Sequence, residues 1–177
     1  VQAYASGQTL LDAVAFAGNV GLRGCIVLDV RMEPLSGLQV FDELRIRACA
    51  LPVLFLSGHG DIPMAVDALQ KGAFDFIEKP FNGAALVQRV QRALQHEATQ
   101  HALAAQRLLM RERVRSLTER ELAVLRLVAT GRLNKVIADT LCISVRTVEV
   151  HRARGFAKLG VRSSAEVVTL LARFDAS

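Results

Sequence analysis

Leu117 to Leu171 reads LTERELAVLRLVATGRLNKVIADTLCISVRTVEVHRARGFAKLGVRSSAEVVTLL. Thr118 and Glu121 form a T-x-x-E capping box, which opens a helix by satisfying its first free N–H groups. Leu122, Leu125 and Val128/Ala129 recur at helical spacing, and Gly131 is a stop signal. A second short helix starts near Asn134 and carries Ile137, Ala138 and Leu141 on one face. Cys142-Ile143 makes a turn, and Ser144 is placed to cap a third helix over about Val145 to Leu159. A helix, a tight turn and a basic second helix together have the shape that fills a DNA major groove.

The third helix divides into two faces. Val148, His151 or Arg152, Gly155 and Leu159 trace the stripe expected to pack on a core. Arg146, Glu149, Val150, Ala153 and Arg154 trace the opposite one. Gly155 departs from the pattern, since a larger apolar residue would fill its place. A helical glycine costs about 0.5–1 kcal/mol against alanine, so the C-terminal half of this helix is expected to be weaker. Charge points the same way as the pattern. Residues 114–177 carry 11 Lys/Arg against 6 Asp/Glu, whereas residues 1–113 carry 11 of each, so the whole net charge of +5 lies in the C-terminal third. Basic charge gathered in one segment gains affinity for DNA through phosphate contact and counterion release.

The segment resembles the LuxR/NarL/FixJ-type helix-turn-helix domain in four ordered blocks: Leu117-Thr118-x-Arg120-Glu121, Asn134-Lys135-x-Ile137-Ala138, Ser144-x-Arg146-Thr147-Val148-Glu149-Val150-His151-Arg152, and Lys158-Leu159-Gly160-Val161-Arg162-Ser163. The resemblance implies sequence-specific binding of double-stranded DNA as a homodimer on two half-sites. It places Glu149, Val150 and Ala153 at the positions that read base edges. Ser144 and Thr147 stand at the start of the DNA-facing helix. Lys135, Arg146, Arg152, Arg154 and Lys158 are the candidates for phosphate contact, which orients a protein and carries little sequence information.

Before residue 95 the pattern alternates between strands and helices. Cys25 to Val30, Pro52 to Leu56 and Ala73 to Ile77 are short, dense apolar runs of the kind buried on both faces of a parallel sheet. Amphipathic helices are expected over about 36–48 and 62–71, the second capped by Asp61 with Pro63 in its first turn. A further helix starts near Asn82. This order predicts an α/β domain whose ligands sit at the strand C-termini, where Asp29, Ser57 and Lys79 stand.

Here the chain resembles a response-regulator receiver of the FixJ-like group. The matching pieces are Leu28-Asp29-Val30-Arg31-Met32, Ser36-Gly37, Leu56-Ser57-Gly58-His59-Gly60-Asp61 and Phe76-Ile77-Glu78-Lys79-Pro80-Phe81. Pro34 lies one place later than the family's proline, with Glu33 taking its place. The resemblance implies that Asp29 accepts a phosphoryl group from a sensor histidine kinase and that Ser57 bonds its oxygens. Lys79 pairs with its charge, Phe76 is the aromatic that moves with the hydroxyl residue, and the Lys79-Pro80 bond is cis. It also implies Mg²⁺, held by Asp29 and the backbone carbonyl of Arg31. RNA polymerase is a candidate partner of such a regulator.

The pattern is incomplete at its start. A receiver opens with a strand ending in two acidic residues, whereas Val1 to Ala5 resembles the second strand, and the segment from Ser6-Gly7 through Phe16 the second helix. The expected architecture is therefore a flavodoxin-like parallel sheet without its first strand and helix, followed by an all-α helix-turn-helix domain. Residues 1–94 form an N-terminally truncated or degenerate receiver, 95–113 a helical linker free of Pro and Gly, and 114–177 the DNA-binding domain. In the 2-1-3-4-5 strand order the missing strand is central. Asp29 plus one carbonyl is a poor site for Mg²⁺, which demands near-octahedral oxygen ligation.

The rest of the composition limits other classes. With 177 residues, 51% of them apolar, the chain buries a real core in one or two domains. No apolar run approaches the roughly 20 residues of a membrane helix, and no signal-peptide pattern opens the chain, so a cytoplasmic protein without a membrane partner is expected. Cys25, Cys49 and Cys142 are far apart and read as reduced, buried thiols. A strand ending in Asp also opens haloacid-dehalogenase-like phosphatases, but these need a second acid where Arg31 stands, so no enzyme is expected. Two functions remain: a two-component transcriptional regulator controlled by a receiver aspartate, or a phosphorylation-independent DNA-binding regulator with a degenerate receiver.

Overall fold

A computed structural model describes residues 1–58 and 62–175. Its contacts divide the chain into two units, Val1–Ala102 and Leu103–Ser177. The first holds α1 (Gly7–Gly21), β1 (Ile26–Asp29), α2 (Gly37–Ile46), β2 (Val53–Ser57), α3 (Ile62–Gln70) and β3 (Asp75–Glu78). Helix α4 (Gly83–Arg115) follows, and its last turns are grouped with the second unit. The division thus falls inside the segment read as a linker. The expected cap at Asp61 and the motif residues His59 and Gly60 lie outside the described residues.

The strands pair in parallel in the order β1-β2-β3, with Ile26 opposite Val53 and Ser57 opposite Glu78. Helices pack on both faces of this short sheet, as its apolar runs require, and Val27 of β1 stays exposed. On one face Ile26, Leu28, Val53 and Phe55 pack with Leu10, Leu11 and Val14 of α1 and Val40, Phe41 and Leu44 of α2. On the other, Leu54 and Ile77 pack with Ala93, Leu86 and Val90 of α4. Ser6 and Ser36 cap α1 and α2 through reciprocal capping boxes with Thr9 and Gln39. Gly18, at φ 66°, interrupts the helical backbone of α1.

The strand expected at Val1 to Ala5 is not present. Val1 to Tyr4 take no regular structure and are exposed. In the doubly wound order that strand pairs only with the first strand. No described residues fill that place, so the segment has no ladder partner and β1 forms the sheet edge.

The second unit contains α5 (Glu119–Ala129), α6 (Asn134–Leu141), α7 (Val145–Leu159) and α8 (Ser164–Asp175). Leu125, Leu159, Val167, Leu170 and Leu171 pack with Val114 and Met110 from the end of α4. Val124, Val128, Ile137, Ala138 and Val148 form an adjoining cluster. Cys142 adopts the left-handed conformation that closes α6, at φ 53°. It is exposed, which corrects the expectation of a buried thiol: the tight turn that lets α7 leave α6 puts this residue at the surface.

Candidate DNA-reading face and receiver site

Helix α7 begins on Ser144, whose Oγ accepts the Thr147 N–H at 3.0 Å. Its two faces are sharply different. Val148, Gly155 and Leu159 are buried, while Arg146, Glu149, Val150, Ala153 and Arg154 are exposed. Val150 keeps 41% of its surface, an apolar group held in solvent. Lys135 is exposed on the first turn of α6. A short scaffold helix and a longer helix with a basic, partly apolar outer face make a surface suited to groove entry.

Gly155 plays a different part from the one its sequence position suggested. A Cβ built there would lie 2.8 Å from Leu125 Cδ1 and 3.1 Å from Leu125 Cγ. Leu125 of α5 is fully buried, so it fills the space a larger residue at 155 would have taken. The glycine allows close approach of two helices, and the expected weak point is a packed crossing.

Two of the candidate phosphate contacts are engaged inside the unit. Lys158 Nζ donates to Glu121 Oε2 at 2.7 Å and to the Ser116 carbonyl at 3.0 Å. Arg152 donates from Nη1 to Asn134 Oδ1 at 3.1 Å and from Nη2 to Ser164 Oγ at 2.9 Å. The sequence reading names both as phosphate contacts and also sets Arg152 among the candidates for the packed stripe. Acceptors on α6 and α8 hold the half-buried Arg152 against the packed side, and Lys158, which stays exposed, is tied to Glu121 of α5. Arg113, near the end of α4, donates to the Leu159 carbonyl at 3.2 Å. There its cation also meets the negative end of the α7 dipole. No local sequence signal marked that contact.

Glu121 is 3% exposed. The Lys158 ammonium, and after it the backbone N–H of Thr118, hold its carboxyl below the ordinary value of 4.5. A carboxyl depressed on folding contributes stability that is present above its unfolded pKa and lost as pH falls through the folded one. Glu121→Gln keeps an acceptor for Thr118 but does not titrate. The variant is therefore expected to be less stable than the parent at pH 7, and the gap should narrow as pH drops below about 4.5. Thermal melts from pH 7 to 3 measure this, and a gap independent of pH would refute it.

In the first unit, Asp29, Ser57 and Lys79 stand at the C-terminal ends of three adjacent strands. The Lys79 ammonium is paired with Asp29 Oδ2, and the Arg31 N–H donates to Asp29 Oδ1 at 3.2 Å. The Lys79 N–H donates to the Ser57 carbonyl at 2.7 Å, which carries the lysine from β3 back toward β1. Ser57 is 1% exposed, and its hydroxyl donates to the Gly58 carbonyl at 3.0 Å. Phe76 lies half-buried with its ring 5.9 Å from that of Phe55. The Lys79–Pro80 and Glu33–Pro34 bonds are both cis.

Gly37 follows the Ser36 cap of α2, and no sequence signal marks its role. A Cβ there would lie 2.2 Å from the Asp29 carbonyl oxygen and 3.2 Å from Val30 Cα. Its N–H donates to the Val30 carbonyl at 3.0 Å. The first turn of α2 thus seats directly on the backbone that carries Asp29. Among the described residues no group of three His, Cys, Asp or Glu could hold a metal ion. Asp29 and the Arg31 carbonyl do not by themselves make a Mg²⁺ site.

Comparison with known proteins gives this geometry its context. Residues 1–91 match the response regulator receiver domain, and residues 115–171 match the bacterial regulatory proteins of the luxR family. The chain belongs to the FixJ/NarL family of response regulators. The transcriptional regulatory protein FixJ of Azorhizobium caulinodans is 43% identical over 148 residues, covering 84% of this chain and 70% of its own length. The C4-dicarboxylate transport transcriptional regulatory protein DctR of Rhodobacter capsulatus is 46% identical over 149 residues, covering 83% and 76%. Among solved structures, the response regulator StyR superposes with a TM-score of 0.83 at 36% identity, over 92% of this chain and 82% of that one. This response regulator is accordingly a DNA-binding transcriptional regulator of a two-component system, with a parallel-sheet receiver and a LuxR-type helix-turn-helix domain. No described helix is long and apolar enough to cross a membrane.

Proposed function

We propose that this regulator binds duplex DNA through the outer face of α7 under the control of Asp29. Glu149, Val150 and Ala153 read base edges, and Lys135, Arg146 and Arg154 contact phosphates. The observation that carries the reading is the split of α7 into a buried stripe and an exposed face holding those residues. Ser144 and Thr147 set the start of the helix against the groove. A sensor histidine kinase is the phosphoryl donor, the working form is a homodimer on two half-sites, and RNA polymerase is the downstream partner. The cytoplasm is the compartment in which such a protein meets DNA and kinase.

At the receiver end, an Asp29 oxygen forms the bond to phosphorus as the bond to the kinase histidine breaks. Lys79 offsets the charge of the phosphoryl oxygens, and Ser57 reaches them if its hydroxyl leaves the Gly58 carbonyl. Phe76, whose ring packs against Phe55 on the strand that ends in Ser57, follows that rearrangement, and Pro80 fixes the turn after Lys79. The proposed domains are 1–94 for the receiver, 95–113 for the linker and 114–177 for DNA binding. Met110, Arg113 and Val114 make the start of the last of these a shared element. Receiver domains bind Mg²⁺ as a family, and the residues present here do not complete that site.

The DNA reading is tested by titrating the full chain with duplex DNA across a range of salt. Each lost phosphate contact lowers the log–log slope by about 0.9. Arg146→Gln with Arg154→Gln is expected to lower it by about 1.8, whereas Val150→Ala should change which sequence is preferred. A double variant with the parent slope would refute the assignment.

A further inference from the structure

We infer that Arg152 is a positioning residue for DNA recognition: its guanidinium ties α7 to the first residues of α6 and α8 and sets the angle at which Glu149, Val150 and Ala153 are presented. The inference rests on the reading of α7 as the DNA-facing helix. Arg152 belongs to the stripe Val148–Arg152–Gly155–Leu159, spaced at four, three and four residues along the packed side of the helix. A cation on such a stripe needs partners, because a buried donor left unmatched is costly. Arg152 has them on two other helices.

One nitrogen donates to Asn134 Oδ1, on the residue that opens α6, and another to Ser164 Oγ, on the residue that opens α8. The guanidinium carbon lies 5.2 Å from the centre of the Phe156 ring, one turn along α7. The planar fork offers donors in fixed directions, so the two bonds and the ring face together fix its orientation. Arg152 is half-buried, whereas Arg146 and Arg154 on the outer face are exposed. One turn beyond Arg152, Gly155 lets α7 close on Leu125, and Lys158 binds Glu121. The back of the helix is therefore held at three successive points, and Arg152 is the one that reaches both α6 and α8. Base reading needs side chains placed to hydrogen-bond accuracy, whereas phosphate contact tolerates displacement. Losing the tie should then cost discrimination more than charge.

The test uses the full chain, a duplex of preferred sequence selected from a random pool, and a scrambled duplex of equal length, each titrated across salt. Arg152→Gln is expected to keep the parent salt slope while the preferred-to-scrambled affinity ratio falls about tenfold, the scale of one lost base contact. Arg152→Lys keeps the charge and loses the fork, and should lose the ratio as well. Ser164→Ala should lose part of it, with the guanidinium still present. Arg154→Gln, the comparator, should lower the slope by about 0.9 and hold the ratio.

A slope that drops in Arg152→Gln and returns in Arg152→Lys would make Arg152 a phosphate contact and overturn the inference. Equal losses on both duplexes with an unchanged ratio would reduce Arg152 to general stability and overturn it too. If circular dichroism finds Arg152→Gln unfolded, Ser164→Ala and Asn134→Ala decide: an unchanged ratio in both refutes the tie. A Val150→Ala chain with the parent's sequence preference would sink the reading of α7 instead.

Discussion

Incubated with acetyl phosphate and Mg²⁺, the 177-residue chain is expected to label at Asp29 about a hundredfold less than a version extended by a strand ending in two carboxylates, the order of effect for one lost electrostatic group in an active site. Asp29 has a cation beside it in Lys79 and a hydroxyl on the neighbouring strand in Ser57. Among the described residues it is not part of any group of three His, Cys, Asp or Glu that could hold a metal ion. Phosphoryl transfer depends on positioning and on neutralising the oxygens of the moving group, and one lysine supplies part of that. The extended version should lose its label with Asp29→Asn, which assigns the site. Labelling of the unextended chain at the level of the extended one would show that Lys79 and Ser57 suffice, and the argument from missing ligands would fall.

The second large effect is expected at Gly37. Gly37→Ala puts a methyl 2.2 Å from the Asp29 carbonyl oxygen, an atom of the backbone that cannot swing aside. Helix α2 cannot back away cheaply, because Val40, Phe41 and Leu44 are buried in the core it shares with the sheet. Overpacking of this kind costs roughly 1–3 kcal/mol, and the receiver unit should melt on the order of 10 °C lower. Gly83→Ala is the control: it also opens a helix, and nothing lies within 4 Å of its added Cβ. Equal melting temperatures for the two variants would refute the close approach as the reason for the glycine.

Much of the DNA-binding unit was legible in the sequence because its determinants are local. Thr118 and Glu121 form their capping box wherever a helix starts there. Ser144 caps its own chain three residues on, and the period of Val148, Gly155 and Leu159 chooses a buried face. The strands around Asp29 and Ser57 were legible for the related reason that dense apolar runs must be covered on both sides. The Val1 to Ala5 strand failed because strand pairing is not local: the same residues form a ladder only when a neighbour exists.

Sequence alone therefore determined the elements, their order, the family pattern and the set of residues able to act. Tertiary structure decided which of those residues are turned outward. Arg146, Arg152, Arg154 and Lys158 carry the same charge on one helix. Asn134, Ser164 and Glu121, brought from three other helices, engage Arg152 and Lys158 and leave the outer face to Arg146 and Arg154. Leu125 and the Asp29 backbone likewise fixed the meaning of Gly155 and Gly37. Charge and periodicity are properties of a residue and its near neighbours, whereas a partner's position is set by packing between segments distant in the chain.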